Sequence, residues 1–209
     1  GNIEVFEQKK EKFDASFLSK HTREGQLVWI RYIEGGTGFN YNLGNCLELN
    51  RNSQSLYLAG LVNDTVNIGS TELLQENGRN YFARFDLDGN FIWAFQFKEA
   101  TEGNIDLASD NEGNLIITGD YYCDTLTVGT EKLISNAGAD LFVAKFDPDQ
   151  NLKWAIRYGG DVRDYVSIAS CDDQNNIYIT AEILPAIIDF NGTFFDNTPE
   201  TEGDIIFAK

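Results

Sequence analysis

Apolar and polar positions alternate over short stretches of this chain, and the same stretches return at one period. Asp140-Leu-Phe-Val-Ala-Lys-Phe-Asp147, followed by Trp154, has an upstream copy in Asn80-Tyr-Phe-Ala-Arg-Phe-Asp86, followed by Trp93. An earlier copy is Phe17-Leu-Ser-Lys20, followed by Trp29, and a shortened one is Asp204-Ile-Ile-Phe-Ala-Lys209. Lys20, Arg84, Lys145 and Lys209 hold one position at intervals of 64, 61 and 64 residues, and Trp29, Trp93 and Trp154 hold another at 64 and 61.

Two further blocks follow each Trp. One ends in Leu-Tyr-Leu-Ala-Gly60, Leu-Ile-Ile-Thr-Gly119 and Ile-Tyr-Ile-Thr-Ala181; the other carries Gly69, Gly129 and Gly192. Three markers in fixed order at one period define a repeat protein.

Each block predicts strands. Trp93, Phe95 and Phe97 fall on one face of an alternating run, as do Trp154, Ile156 and Tyr158. Asp86-Leu-Asp-Gly-Asn90, Asp147-Pro-Asp-Gln-Asn151, Asp110-Asn-Glu-Gly-Asn114 and Asp172-Asp-Gln-Asn-Asn176 supply hairpin turns, because Asp, Asn and Gly cap their own amides and accept left-handed backbone angles. No segment keeps a 3.6-residue apolar period, so no substantial helix is expected.

Four short strands in two hairpins, repeated about every 60 residues, read as blades of an all-β propeller. The expected organisation is one segment, 1–209, made of an outer strand pair over 17–36, blades over 45–98 and 105–159, and an incomplete blade over 166–209. The repeating Trp residues are read as packing between neighbouring blades. Propellers close with about four to eight blades, so roughly three periods imply a piece of a larger ring, a ring made with a second copy, or an arc held by a partner; the piece is favoured, because both ends fall inside a repeat.

The run Asp140 to Asp147, then Trp154, Gly159-Gly160, Asp164, Ile168-Ala169, Asp172 and Asn176-Ile-Tyr-Ile-Thr180 resembles the bacterial SBBP β-propeller repeats over nearly the whole chain. That resemblance implies a secreted or cell-surface protein, notably of Bacteroidetes, and no particular activity. It also implies that the Ile168 and Ile177 segments are inner strands and the Phe142 and Trp154 segments outer ones. Thr180-Ala181 in place of Thr118-Gly119, and Gln150 where Gly25 and Gly89 stand, depart from the pattern at turns.

Charge narrows the partners. A formal charge of −17, from 33 acidic and 16 basic residues, repels phosphate backbones and anionic lipid, so nucleic-acid binding is not expected. No apolar run approaches the roughly 20 residues of a membrane span, so membrane insertion is not expected either. The chain opens at Gly1 as a processed or engineered one would, which leaves secretion open.

The three cysteines, Cys46, Cys123 and Cys171, share no repeat position and read as small buried hydrophobes rather than as a disulfide with one free thiol. His21, the one histidine, falls in a turn and reads as a solvated residue.

Candidate recognition residues follow from topology. The Asp turns should emerge on one face, and the other should collect long loops at about 34–45, 61–80, 98–104, 120–140, 159–165 and 182–203. Phe39, Tyr41, Tyr121, Tyr122, Arg163, Tyr165, Phe194 and Phe195 lie in these segments. Variable loops on a rigid scaffold carry recognition, here of a protein or glycan partner, although loop aromatics also cover blade edges.

No catalytic residue, metal or cofactor is expected. Asp86 to Asn90 looks like the start of a calcium loop, but Phe97 stands where a bidentate Glu would be required, and plain turns are favoured. The alternative function is a propeller enzyme acting on polysaccharide, a glycoside hydrolase or lyase. Its candidate carboxylates are the non-repeating Asp106 and Glu182, which no further motif supports. Asn63-Asp-Thr65 and Asn191-Gly-Thr193 are N-glycosylation sequons, and Asp64-Thr65-Val66 and Asp124-Thr125-Leu126 look like O-glycan sites of Bacteroidetes. These features favour an extracytoplasmic binding or structural module.

Overall fold

In a computed structural model, the protein is described over residues 15–35, 44–62, 64–77, 79–98, 104–135, 138–161, 164–184, 187–190, 192–196 and 204–208. These residues form antiparallel sheets. Among them the only helical element is the 3₁₀ turn Gln75–Asn77, and no helix is long and apolar enough to cross a membrane.

The first sheet begins with β1 (Ala15–His21) and β2 (Leu27–Gly35). The second is a meander of β3 (Gly44–Asn50), β4 (Ser55–Leu61), β7 (Asn80–Asp86) and β8 (Phe91–Gln96), with the hairpin β5 (Thr65–Ile68) and β6 (Thr71–Leu74) inserted between β4 and β7. The third repeats this with β9 (Ile105–Ser109), β10 (Leu115–Tyr121), β13 (Asp140–Phe146) and β14 (Leu152–Gly159), and with the inserted hairpin β11 (Thr125–Val128) and β12 (Glu131–Ile134). The fourth holds β15 (Asp164–Cys171), β16 (Ile177–Ile183) and β19 (Asp204–Ala208), and its inserted hairpin is β17 (Ile187–Phe190) and β18 (Thr193–Asp196).

The inserted hairpins correct the sequence reading. Segments 61–80, 120–140 and 182–203 were expected as loops, yet each holds two four-residue strands around Gly69, Gly129 or Gly192. Thr65-Val-Asn-Ile68 and its counterparts alternate too briefly to be told from a loop, but they place Val66, Ile68 and Leu73 in one core cluster and Leu126, Val128 and Leu133 in another.

Two of the three hairpins also tie sheets together by strand pairing, while β11 and β12 pair only with each other. β5 pairs with β2 at Glu34↔Asn67 and Gly35↔Val66, and β17 pairs with β14 at Tyr158↔Phe190 and Gly159↔Asp189. These two hairpins therefore dock on the outer strand of the preceding sheet. At the turns of the first two hairpins, Gly69 sits against Phe91 and Gly129 against Leu152 so closely that a Cβ at Gly69 would overlap the ring. With φ of +58° and +59°, both positions favour glycine on backbone grounds as well.

Aromatic side chains fill the boundary between the second and third sheets. Phe82 packs on Phe97 at 4.7 Å between ring centroids, Phe97 on Phe142 at 5.7 Å and Phe95 on Phe146 at 5.2 Å. Phe82 and Phe142 are fully buried, and each such ring contributes about 1.5–3 kcal/mol of apolar transfer.

The Asp turns behave as one device. Asp86 Oδ1 accepts the amides of Asp88 and Asn90, and Oδ2 accepts Asn90 Nδ2. The same three bonds recur at Asp110, Asp147 and Asp172. Amides thus occupy the oxygens that a cation would need, and these bonds hold all four carboxyls below the usual aspartate range, Asp172 at about 2. Thr22 stands in for Asp in the β1–β2 turn, its Oγ1 accepting the amides of Glu24 and Gln26.

Turns of adjacent sheets also bond to one another. Asn52 donates to the Asn111 carbonyl, Asn111 Nδ2 to the Asp173 carbonyl, and Tyr57 OH to the Gly113 carbonyl at 2.6 Å.

The repeated basic residue and the repeated Trp share a target. Trp29 Nε1 and Lys20 Nζ both donate to the Leu87 carbonyl, at 3.2 and 3.0 Å. Trp93 Nε1 and Arg84 Nη1 both donate to the Pro148 carbonyl, at 2.9 and 2.7 Å. Each pair grips, at the same place, the turn of the following sheet. The Trp residues pack between sheets as expected, and the indole N–H adds a directed bond.

Candidate functional site on the third inserted hairpin

Comparing the three inserted hairpins position by position shows where the repeat is broken. Val66, Leu126 and Ile188 are fully or almost fully buried at one position, as are Ile68 and Val128 at another. On the opposite face, Thr65 and Thr125 become Ile187, while Glu72 and Lys132 become Phe194. One half-buried and one exposed polar position have turned apolar, and both side chains stay in water: Ile187 is 54% exposed and Phe194 69%.

Register brings these two together. Ile187 pairs with Asp196 and Asp189 with Phe194, so Ile187, Asp189, Phe194 and Asp196 share one face. Phe195 lies on the other face opposite buried Ile188, 47% exposed where Leu73 and Leu133 are buried. β18 is the outermost strand of the six-stranded sheet in the order β18-β17-β14-β13-β10-β9. Its outer edge pairs with no other strand among the described residues, so its backbone groups lie beside the exposed Phe194.

The hairpin is anchored firmly. Phe190 stacks against Tyr158 at 5.3 Å, and Gly192 N donates to Asp189 Oδ1 at 2.6 Å. Arg157, beneath it, lies 3.3 Å from Asp140 and 3.8 Å from Asp189. Asp164 is fully buried nearby and accepts the Gly160 amide. Burial pushes Asp164 up to about 6 and the Asp140 carboxylate adds to this, against the amides of Gly160 and Leu184.

Of the other expected recognition residues, Tyr121 and Tyr122 do not share this face. Tyr121 was read as a loop aromatic but is fully buried at the end of β10, packed against Phe142 at 6.3 Å; it belongs to the core, because β10 runs two residues beyond Gly119. Tyr122, next along, is 37% exposed. Tyr165 lies on β15 opposite Glu182, and its side chain lies outside the described residues. Phe39, Tyr41 and Arg163 also lie outside them. Phe194 and Phe195 are on a strand rather than a loop. Sequence reasoning missed Ile187, although the change from Thr65 and Thr125 was the signal that could have found it.

Asp106 is engaged on both oxygens: Oδ1 accepts the Cys46 thiol at 3.1 Å and Oδ2 the Ala169 amide at 2.7 Å, which links three sheets. Glu182 is exposed on β16. Cys46, Cys123 and Cys171 are half-buried thiols outside any disulfide. His21 is exposed in its turn beside Ser19 and the Gly25 carbonyl. Among the described residues no group of three His, Cys, Asp or Glu is arranged to hold a metal ion.

No model of a known protein family matches the chain, and no curated protein matches it.

Proposed function

We propose that the chain is a non-enzymatic binding module of a secreted or cell-surface protein, built as consecutive blades of a β-propeller of the SBBP type. The stacking of one repeated meander on the next, with turn clamps and inserted hairpins joining neighbours, supports the blade reading. Clamps on one rim and hairpin staples on the other make the scaffold rigid, and rigidity lowers the entropic cost of recognition.

One observation carries the binding role: Ile187 and Phe194 replace Thr and a charged residue on an exposed edge hairpin without gaining a buried contact. An exposed aromatic and aliphatic pair next to an open strand edge fits an extended protein segment added as a further strand. The acidic chain and Asp196 favour a segment with basic residues.

Calorimetric titration with an extended peptide of alternating valine and lysine, and in parallel with a xylan hexasaccharide, tests the reading. Wild type should bind the peptide, and Phe194→Lys or Ile187→Thr, which restore the residues of the sister hairpins, should abolish binding with an unchanged urea midpoint. Binding of the hexasaccharide alone would move the ligand class to glycan. Binding of neither probe, or peptide binding that survives both substitutions, refutes the role of this hairpin.

A further inference from the structure

We propose that the seat of the third inserted hairpin is a pH-sensitive latch, in which proton uptake by Asp164 tightens the hold on β17 and β18 and ionisation loosens it. The hairpin meets the preceding sheet through the pairs Tyr158↔Phe190 and Gly159↔Asp189, so its hold depends on what fixes Gly159 and Gly160. Asp164 fixes Gly160 by accepting its amide at 3.2 Å. Asp140 fills the space beside Gly159, where a Cβ would overlap its carboxylate. The Asp164 carboxyl also accepts the amide of Leu184, which leads into the hairpin.

Three carboxyls converge here on one guanidinium among the described residues. Arg157 lies 3.3 Å from Asp140 and 3.8 Å from Asp189, and Asp164 is close enough to interact with both Asp140 and Arg157. With all three carboxyls ionised, negative charge is in excess around Asp140 and Asp164, which are both fully buried. A buried surplus of this kind draws a proton. Asp164 takes it, because burial and the Asp140 carboxylate oppose its ionisation, while Asp140 keeps the guanidinium. Of the other groups nearby, Glu182 on β16 and Asp161 in the link to β15 are exposed, and burial holds Tyr121 on β10 as the neutral phenol. Arg163 and the side chain of Asp204 lie outside the described residues.

The sister seats lack these charges. Asn67 and Thr127 stand where the third hairpin has Asp189, and Tyr32 and Gln96 stand where β14 has Arg157. The latch is thus confined to the hairpin whose outer face has turned apolar.

The direction follows from linkage. Ile188 of the hairpin packs against Ile183, the cross-strand partner of Asp164, so lifting the hairpin uncovers the carboxyl. Asp164 is raised to about 6 in the seated state and returns toward its ordinary 3.8 once uncovered. The seated state therefore binds the proton more tightly. That contribution to the hold is fully present below about pH 4 and is lost as pH rises through 6. It is read on the hairpin's own amides, so it stands or falls apart from what the hairpin binds.

Hydrogen exchange of the segments 65–74, 125–134 and 187–196, corrected for intrinsic rates at about pH 5 and pH 7, tests the latch. Protection of 187–196 should fall roughly tenfold from the lower pH to the higher, and protection of the two sister hairpins should not follow it. Asp164→Asn, neutral throughout, should give 187–196 equal protection at both. Asp140→Asn leaves Asp164 in place but removes the charge that opposes it, and should shrink the fall to about threefold; it decides the matter where Asp164→Asn fails to fold. Constant protection of 187–196 in the wild type, an equal fall in all three hairpins, or a full tenfold fall in either variant overturns the proposal.

Discussion

Trp93 donates its indole N–H to the Pro148 carbonyl at 2.9 Å, and Arg84, its cross-strand neighbour, donates to the same oxygen at 2.7 Å. A carbonyl with two donors tolerates the loss of either but not of both. Trp93→Phe should therefore cost about 1 kcal/mol. Arg84→Met, which also gives up the Ser55 hydroxyl, should cost about 2 kcal/mol. The double variant leaves the carbonyl without either donor, so urea unfolding should reveal about 1 kcal/mol of destabilisation beyond the sum. Strict additivity would show that the shared carbonyl is not what couples the two sheets.

Asp164 makes stability depend on pH in the sense opposite to the turn carboxylates. Its folded value, about 6, lies above its ordinary 3.8. The proton it holds stabilises the fold fully below about pH 4, and that contribution is lost as pH rises through 6. Asp86, Asp110, Asp147 and Asp172 are depressed, so they stabilise above about pH 4 and lose this as pH falls further. Chemical denaturation should show a maximum near pH 4–5 and a decline toward pH 7, of which Asp164 supplies on the order of 3 kcal/mol. General repulsion among the acidic residues also grows over that range, so the decisive measurement is the difference from Asp164→Asn. An equal slope in both proteins would show that Asp164 is not the source.

The repeat, its strands and its turns were legible because they rest on local signals: two-residue alternation, Asp-X-X-Gly-Asn turns and a Trp at a fixed interval. The inserted hairpins were not, since four residues such as Thr125-Leu-Thr-Val128 give two apolar positions and no contrast with a loop. Tyr121 was misplaced for a related reason, because nothing local marks where β10 ends once Gly119 has been read as its terminus. The site was legible only in part: Phe194 and Phe195 stood out as non-repeating aromatics. The meaning of Ile187 needed the pairing that sets it on the same face as Phe194, and register is a long-range property.

Gln150 occupies a turn position with φ of +70°, where Gly89 has +76° and Gly113 +82°. A side chain in this region costs about 1 kcal/mol, partly offset by the greater freedom glycine gives the unfolded chain. Gln150→Gly should therefore stabilise by roughly 0.5 kcal/mol, seen as a small rise in melting temperature. The reverse exchange, Gly89→Gln, should cost more than this gain, because a Cβ there would lie 3.1 Å from the Trp29 ring and press on the clamp. Equal and opposite effects at the two sites would mean that backbone strain alone governs both.

Lys145 ends 2.6 Å from Asp110, whose side chain is wholly buried. Asp110 also accepts the amides of Glu112 and Asn114 and the Asn114 side chain, so its carboxylate is held in the charged form by an arrangement in which Lys145 supplies, among the described residues, the only full positive charge in bonding distance. Lys145→Met keeps the length of the side chain but leaves a buried anion with amides alone, which should cost about 3 kcal/mol. Asp110→Asn in the same background should recover more than half of this, because a neutral amide oxygen can still accept the turn amides without an ion to compensate. Recovery of that size in guanidinium unfolding assigns the loss to the uncompensated charge. If the double variant is no more stable than Lys145→Met, the loss is one of packing around β10 and β13, and the role of the repeated basic residue on this sheet is steric.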